Sequence, residues 1–301
     1  GAKLAKSKDI EGAFRGIFHG ASGIKGQANL VKIESGTAIA TNSVSAVMNV
    51  SSLIVGQYYM KQINAELDVI SEGINQIQSF QDNEYRSRVF SLVAHVKRIS
   101  NFQSEILEND ELRISKIYQL DSLEKDCAEL LGQANLTLAD FTNKNKLSYK
   151  EYEKVIAEVQ KWYTYQKSLI EVMYKISDLR YTLHLGTVSR EQCADLLSTY
   201  QKQIGDTQDR INVWHYKTAK RLGIKIDEFC RKRAGFDGAI HFIPSLLKDE
   251  YKFRSIDMKT VKMIIEQAMG YEEQCVTYTS ELYNEDVQLI SKDGRLYYLP
   301  E

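Results

Sequence analysis

Five histidines (His19, His95, His184, His215, His241) and four cysteines (Cys127, Cys193, Cys230, Cys275) are the side chains with which this 301-residue chain could hold a metal or form a covalent intermediate. Metal chemistry needs ligands that converge at short spacings, such as HExxH or paired CxxC, so that one turn or helix face presents them together. None of the nine falls in such a spacing, and each histidine is expected to pack or to hydrogen-bond locally. Cys127 and Cys193 occupy apolar positions of expected helices and read as buried free thiols. Gly20, Gly23 and Gly26 have the texture of a phosphate loop, yet no Gly-Lys-Ser/Thr follows and no strand is expected before them. There is no nucleophile elbow and no acid pair beside a glycine turn. The expectation is a non-enzymatic protein with no cofactor and no metal.

Charge offers a second kind of chemistry. The chain as a whole is near neutral, at -1, so any electrostatic partner must be read from local clusters. Lys217, Lys220, Arg221, Lys225, Arg231, Lys232 and Arg233, offset by Asp227 and Glu228, leave residues 217–233 at +5. Residues 263–291 carry Glu266, Glu272, Glu273, Glu281, Glu285 and Asp286 and no Lys or Arg, a net of -6. A nucleic-acid reading of the basic cluster has Trp214, Tyr216 and Phe229 as stacking partners. The plainer reading is preferred: cations complement a helix C-terminus, and the acidic run folds against them. Nucleic acid is therefore not the expected partner.

The stretch Ser35–Met60 holds 26 residues without Asp, Glu, Lys, Arg or His. Asn42, Ser45, Asn49, Ser52 and Gly56 step 3, 4, 3 and 4 through it, which places them in one stripe of a helix with apolar side chains around the rest. Such a stripe is a candidate membrane or helix-association surface. A run of roughly 20 apolar residues suffices to cross a bilayer, but the Asn and Ser content opposes insertion unless these helices associate. Tyr58 and Tyr59, just before Lys61, stand where an interfacial anchor would be expected.

Long helices must position all of this. Pro244 and Pro300 are the only prolines, so nothing interrupts a helix before residue 243. Met60, Ile63, Leu67, Ile70, Ile74 and Ile77 form a heptad seam that resumes at Tyr85 and continues to Ile106 after a break resembling a stutter. Joined to the uncharged run, this makes one helix of about 70 residues, roughly 100 Å long. Further helices are expected over 111–141, 149–185 and 190–222, with a capping box at Ser148 and Glu151, a similar start at Ser189 and Gln192, and stops at Gly186 and Gly223. Short connections imply antiparallel neighbours.

The fold class is thus mainly α: an elongated antiparallel bundle of four long, coiled-coil-like helices over 37–222. Residues 1–36 are a Gly-rich, marginal helix. Residues 223–301 form a small α+β cap of shorter helices over 224–270, with Asp257 capping Met258–Met269, and a β-hairpin at 287–299 around Asp293-Gly294. Cys275 to Thr279 is a candidate third strand.

The uncharged stretch, followed by the heptads from Met60 to Ile106 and the supporting helices to residue 222, resembles in pattern the α-helical pore-forming toxins of bacteria, the haemolysin BL and cytolysin A class. The resemblance carries no specific motif. It implies an apolar segment folded away until a membrane is met, with residues 10–60 as the mobile part. In that class the segment sits between two long helices, whereas here it precedes the first.

The leading expectation is a helical-bundle interaction or scaffold protein that binds a protein partner or itself through its helices, with a membrane as the alternative partner. Gly1 in place of Met suggests a truncated start, and the compartment is expected to be the cytoplasm or the exterior, without disulfides.

Overall fold

A computed structural model describes residues 5–6, 13–20, 23–31, 44–77, 83–234, 252–268, 283, 288–292 and 295–299, with side chains for 51–77, 83–234, 252–268 and Tyr283. Its framework is a bundle built around one helix. In chain order the helices are α1 (Val44–Asn75), α2 (Asn83–Asn101), α3 (Gln103–Glu108), α4 (Asp110–Thr142), α5 (Tyr149–His184), α6 (Arg190–Cys193), α7 (Leu197–Leu222) and α8 (Met258–Ala268). Helix α5 touches α1, α2, α4, α6, α7 and α8, and more than half of its 36 residues are buried. Its neighbours each present one apolar stripe to it, as amphipathic helices must.

The seam from Met60 to Ile77 is buried at every position. The helix carrying it, however, is not a 70-residue rod. It ends at Asn75, and α2 runs back along it: Lys97 pairs with Asp68, the Ser100 hydroxyl donates to Asn64 Oδ1 at 3.0 Å, and Arg86 donates to the Asn75 carbonyl at 3.3 Å. A stutter and a reversal leave the same gap in a heptad pattern, because both resume the seam toward the same core. The result is five long antiparallel passes where four were expected.

The caps follow the sequence closely. Ser148 and Glu151 close a reciprocal capping box, Ser189 accepts from the Gln192 amide, and Asp257 accepts from the Lys259 amide to start α8. The helix expected over 190–222 is broken at 194–196 instead. There the Cys193 carbonyl leaves the helical ladder and accepts from the Ser177 hydroxyl (2.9 Å) and Arg180 (3.1 Å). Helix α7 stops at Gly223 in the left-handed region, φ +62°, where an added Cβ would lie 2.6 Å from Lys232 Cβ. Gly223→Ala is expected to cost about 2 kcal/mol through strain and displacement of the strand that follows. Urea unfolding measures it, and an unchanged midpoint would contradict the close approach.

Strands replace two expected helical regions. Near the start, β1 (Ala5–Lys6), β2 (Ala13–Gly20) and β3 (Gly23–Val31) form an antiparallel sheet in which Gly20 pairs with Gly23. The Gly-rich segment is thus a hairpin and not a marginal helix. Glycines that weaken a helix cost little beside a tight reversal. A strand therefore does precede the Gly20 run, though the Lys-Ser/Thr of a phosphate loop is still missing from it. After α7, β4 (Ile224–Lys225), β5 (Cys230–Lys232) and β6 (Phe253–Ser255) form a second small sheet where short helices were expected. Strands of two or three residues show no period to read.

The hairpin at the end is present as β7 (Gln288–Lys292) and β8 (Arg295–Leu299), paired from Lys292–Arg295 outward, with β8 beside α1. Asn42, Pro244 and the candidate strand from Cys275 to Thr279 lie outside the described residues.

Candidate association surfaces

The small-residue stripe resolves into one well-defined contact. Helix α1 contains Ser45, Asn49, Ser52 and Gly56; Ser52 is half-buried and Gly56 is buried. An added Cβ on Gly56 would meet Leu107 Cδ1 at 3.1 Å, the Tyr283 hydroxyl at 3.3 Å and Thr182 Cγ2 at 3.5 Å. Tyr283 fills this notch: its hydroxyl donates to the Thr182 carbonyl at 3.0 Å and its ring lies 5.4 Å from that of Tyr181. Gly186, at φ +79°, lies directly under the same ring. The stripe therefore helps to receive a side chain from the far end of the sequence.

Tyr58 and Tyr59 stack edge to face at 5.3 Å; Tyr58 is exposed at 36%, while Tyr59 packs with Val55, Tyr181, Val188, Cys193 and Tyr283. Tyr59 is thus a packing residue and not an exposed anchor. Among the described residues no helix is long and apolar enough to cross a membrane.

The seven cations of the basic cluster gather at the opposite end, where α7 runs into the β4–β5–β6 sheet. Lys217, Lys220, Arg221 and Lys232 are exposed and carry no carboxylate partner among the described residues. Arg221 donates to the Leu147 carbonyl, which closes the α4–α5 turn onto α7. Lys225 pairs with Glu228 at 2.9 Å and stands over the Phe253 ring, and Arg233 donates to the Phe253 carbonyl. Arg231 lies over the Tyr149 ring, 4.2 Å from its centre. The Tyr149 hydroxyl donates to Glu153, and burial beside that carboxylate pushes its pKa up to about 12.

Of the three aromatic residues named for stacking, Trp214 is unavailable. It is 4% exposed and donates to the Lys144 carbonyl at 3.1 Å. Tyr216, at 68% exposed, and Phe229, at 43%, remain on the surface. Phe229 holds φ +50° at the end of the β4–β5 turn, a conformation that disfavours a side chain. Phe229→Gly is expected to raise stability by about 1 kcal/mol. A lower melting temperature would instead show that the ring packs.

Of the six carboxylates in the acidic run, only Glu266 on α8 lies among the described residues, where it makes no ion pair with these cations; Glu272, Glu273, Glu281, Glu285 and Asp286 lie outside them. Tyr283, within that run, docks against Thr182 and Gly186 at the C-terminal end of α5, whereas Arg231 sits on Tyr149 at its N-terminal end. Those positions are 33 residues apart on one helix, about 50 Å.

A buried polar chain lies beneath the basic end, built from residues too far apart in sequence for any local spacing to join them. Gln267 of α8 donates to the Ile156 carbonyl (3.1 Å) and to Gln160 Oε1 (2.6 Å), which fixes its amide orientation and leaves Oε1 as the acceptor for His215 Nε2 at 3.1 Å. His215 Nδ1 then accepts from the Tyr152 hydroxyl at 2.6 Å. Gln208 donates to the Gln267 carbonyl and to Asn212. Burial holds the imidazole neutral, with its pKa lowered to about 4. Histidine 52 residues before its glutamine partner gives no local signal, so the link joining α5, α7 and α8 could not be anticipated.

The other titratable residues take structural places. Cys127 is buried, its thiol donating to the Leu169 carbonyl at 3.3 Å, and burial pushes its pKa far up. Cys193 is buried as well, and Cys230 is half-buried. His95 is exposed beside the Ser91 carbonyl, and His184 closes α5. Arg180 binds Asp121, Glu124 and the Cys193 carbonyl, while Arg190 pairs with Asp178, tying α4, α5 and α6 together. Among the described residues no group of three or more His, Cys, Asp or Glu could hold a metal ion. Comparisons with protein-family models, curated proteins and solved structures found no match for the chain.

Proposed function

We propose that this protein works by association: it is a helical-bundle interaction or scaffold protein whose basic end is a binding surface. The observation that carries the reading is the set Lys217, Lys220, Arg221 and Lys232, exposed and without carboxylate partners among the described residues, with the exposed Tyr216 ring in their midst. Exposed cations that no described carboxylate neutralises attract an anionic surface over about a Debye length, and an aromatic ring among them adds contact area. The chain of hydrogen bonds through Tyr152, His215 and Gln267 makes the platform beneath them rigid, so little ordering entropy opposes binding.

Labelled poly-glutamate is a direct probe. Fluorescence anisotropy is expected to show salt-sensitive binding to the intact protein, weakened at least about tenfold by Lys217→Glu, Lys220→Glu and Lys232→Glu together. Equal binding by that variant would overturn the reading.

A second reading, conditional membrane activity, is favoured by the Tyr283 contact. The residues of α1 before Lys61 carry no charge, and their buried Gly56 is covered by a side chain from a distant segment. Tyr283→Ala should then increase leakage from dye-filled anionic liposomes. No leakage from either protein, with circular dichroism showing both folded, would remove this reading.

A further inference from the structure

We propose that the protein associates with itself head to tail, the basic end of one copy seating on an acidic end of the next. This rests on the association reading above and names its partner as a second copy of the chain.

The acidic surface lies where α3 turns into α4. Residues 103–111 carry Glu105, Glu108, Asp110 and Glu111 and no cation. All four are exposed; Asp110 pairs with Arg113, whereas Glu105, Glu108 and Glu111 have no ion-pair partner among the described residues. Helix α4 separates this surface from the basic one. It starts at Asp110 and ends at Thr142, just before Lys144 and Leu147, whose carbonyls accept from Trp214 and Arg221. At 33 residues it holds the two charged ends about 50 Å apart. Among the described residues, an anionic surface and a cationic one thus stand at opposite ends of one helix.

Apolar groups accompany both charges. At the acidic end Tyr118 is 71% exposed and Phe102 and Ile114 about half exposed. The Tyr85–Leu130 and Arg88–Glu129 contacts set the antiparallel register of α2 on α4 and bring Phe102 level with Ile114. At the basic end Val213 and Tyr216 are exposed one turn apart on α7. A two-fold pairing of either end with itself would set like charges together and is disfavoured. A heterologous end-to-end contact brings basic to acidic and, repeated without closure, yields a chain of copies, whereas a side-by-side antiparallel pair would stop at the dimer and so overturn the head-to-tail contact. A protein built for nucleic acid or an anionic membrane would use the basic end alone and leave the acidic end unexplained.

Sedimentation of the purified full chain tests this, with two triple variants: Glu105→Lys, Glu108→Lys, Glu111→Lys, and Lys217→Glu, Lys220→Glu, Lys232→Glu. The expected result is a mass that rises with concentration past the dimer at about 0.03 M salt and returns to the monomer near 0.5 M. Each variant alone should be monomeric, its self-association weakened at least about tenfold. An equimolar mixture of the two should regain association, since one variant then offers two basic ends and the other two acidic ends.

A wild-type protein that stays monomeric at low salt overturns self-association, as does a mixture of folded variants that fails to associate. If that monomer still binds poly-glutamate, the basic end serves a different acidic partner and the broader reading stands. If it binds neither, both fall. Association that appears only on adding nucleic acid or anionic vesicles also overturns the head-to-tail contact.

Discussion

Taking the protein from pH 7 to pH 4 is expected to remove about 3 kcal/mol of stability through His215 alone. Burial lowers its pKa from the ordinary histidine value of 6.5 to about 4. Above pH 6.5 the imidazole is neutral folded or unfolded, and its full contribution is present. Between pH 6.5 and 4 the unfolded chain takes up a proton that the folded site refuses, so stability falls as the pH falls. Below pH 4 both states are protonated and the loss levels off.

Urea unfolding at half-unit pH intervals measures this slope. Other groups contribute in the same range, His184 among them, its pKa also lowered by burial. The informative quantity is therefore the difference from His215→Gln. That variant should be less stable at pH 7, because Tyr152 and Gln267 lose a partner, and flatter between pH 6.5 and 4. Parallel curves would show that His215 is not the buried neutral group described.

The second large effect is expected at Tyr283. Tyr283→Ala empties the space between Gly56, Thr182 and Gly186 and should cost about 2 kcal/mol, below the range for a fully buried aromatic ring because Tyr283 is half-buried. Tyr283→Phe keeps the ring and gives up only the bond to the Thr182 carbonyl, about 1 kcal/mol. Gly56→Val should resemble the alanine variant, because its side chain would enter the space held by Leu107 and the tyrosine hydroxyl. Chemical denaturation of the three variants orders them. A Tyr283→Ala protein as stable as its phenylalanine counterpart would mean that the ring does not clamp α1.

The framework of the fold was legible because it is local. Ser148 with Glu151, Ser189 with Gln192, Asp257 and Gly223 each mark a helix end through residues three or fewer positions apart, and the structure uses all of them. The heptads were equally plain, but they carry no direction, and the reversal between α1 and α2 was lost in what looked like a stutter. Strands β4 to β6 are too short for alternation to show, and the glycines before residue 27 spoke against a helix without announcing a hairpin.

At the candidate surfaces, the seven cations could be counted from the sequence, and Trp214 could have been excluded as a stacking residue from its place in the seam of α7. The acidic end was overlooked although its signal was available: four carboxylates within 103–111 and no cation. What could not be read were the long-range partners, Gln267 for His215 and Tyr283 for Gly56. Their meeting is decided by how α8 and the segment after it pack, which no local spacing encodes.

The central place of α5 has a consequence for the dynamics of the chain. A helix walled in by six others can expose its amides to solvent only when its neighbours depart, so its slowest hydrogens should exchange at the rate of global opening. Helix α2 keeps a solvent-facing side along most of its length and can fray without disturbing the centre. Deuterium labelling should therefore grade protection outward from α5, with Leu169, Ile170 and Ile176 among the last amides to exchange.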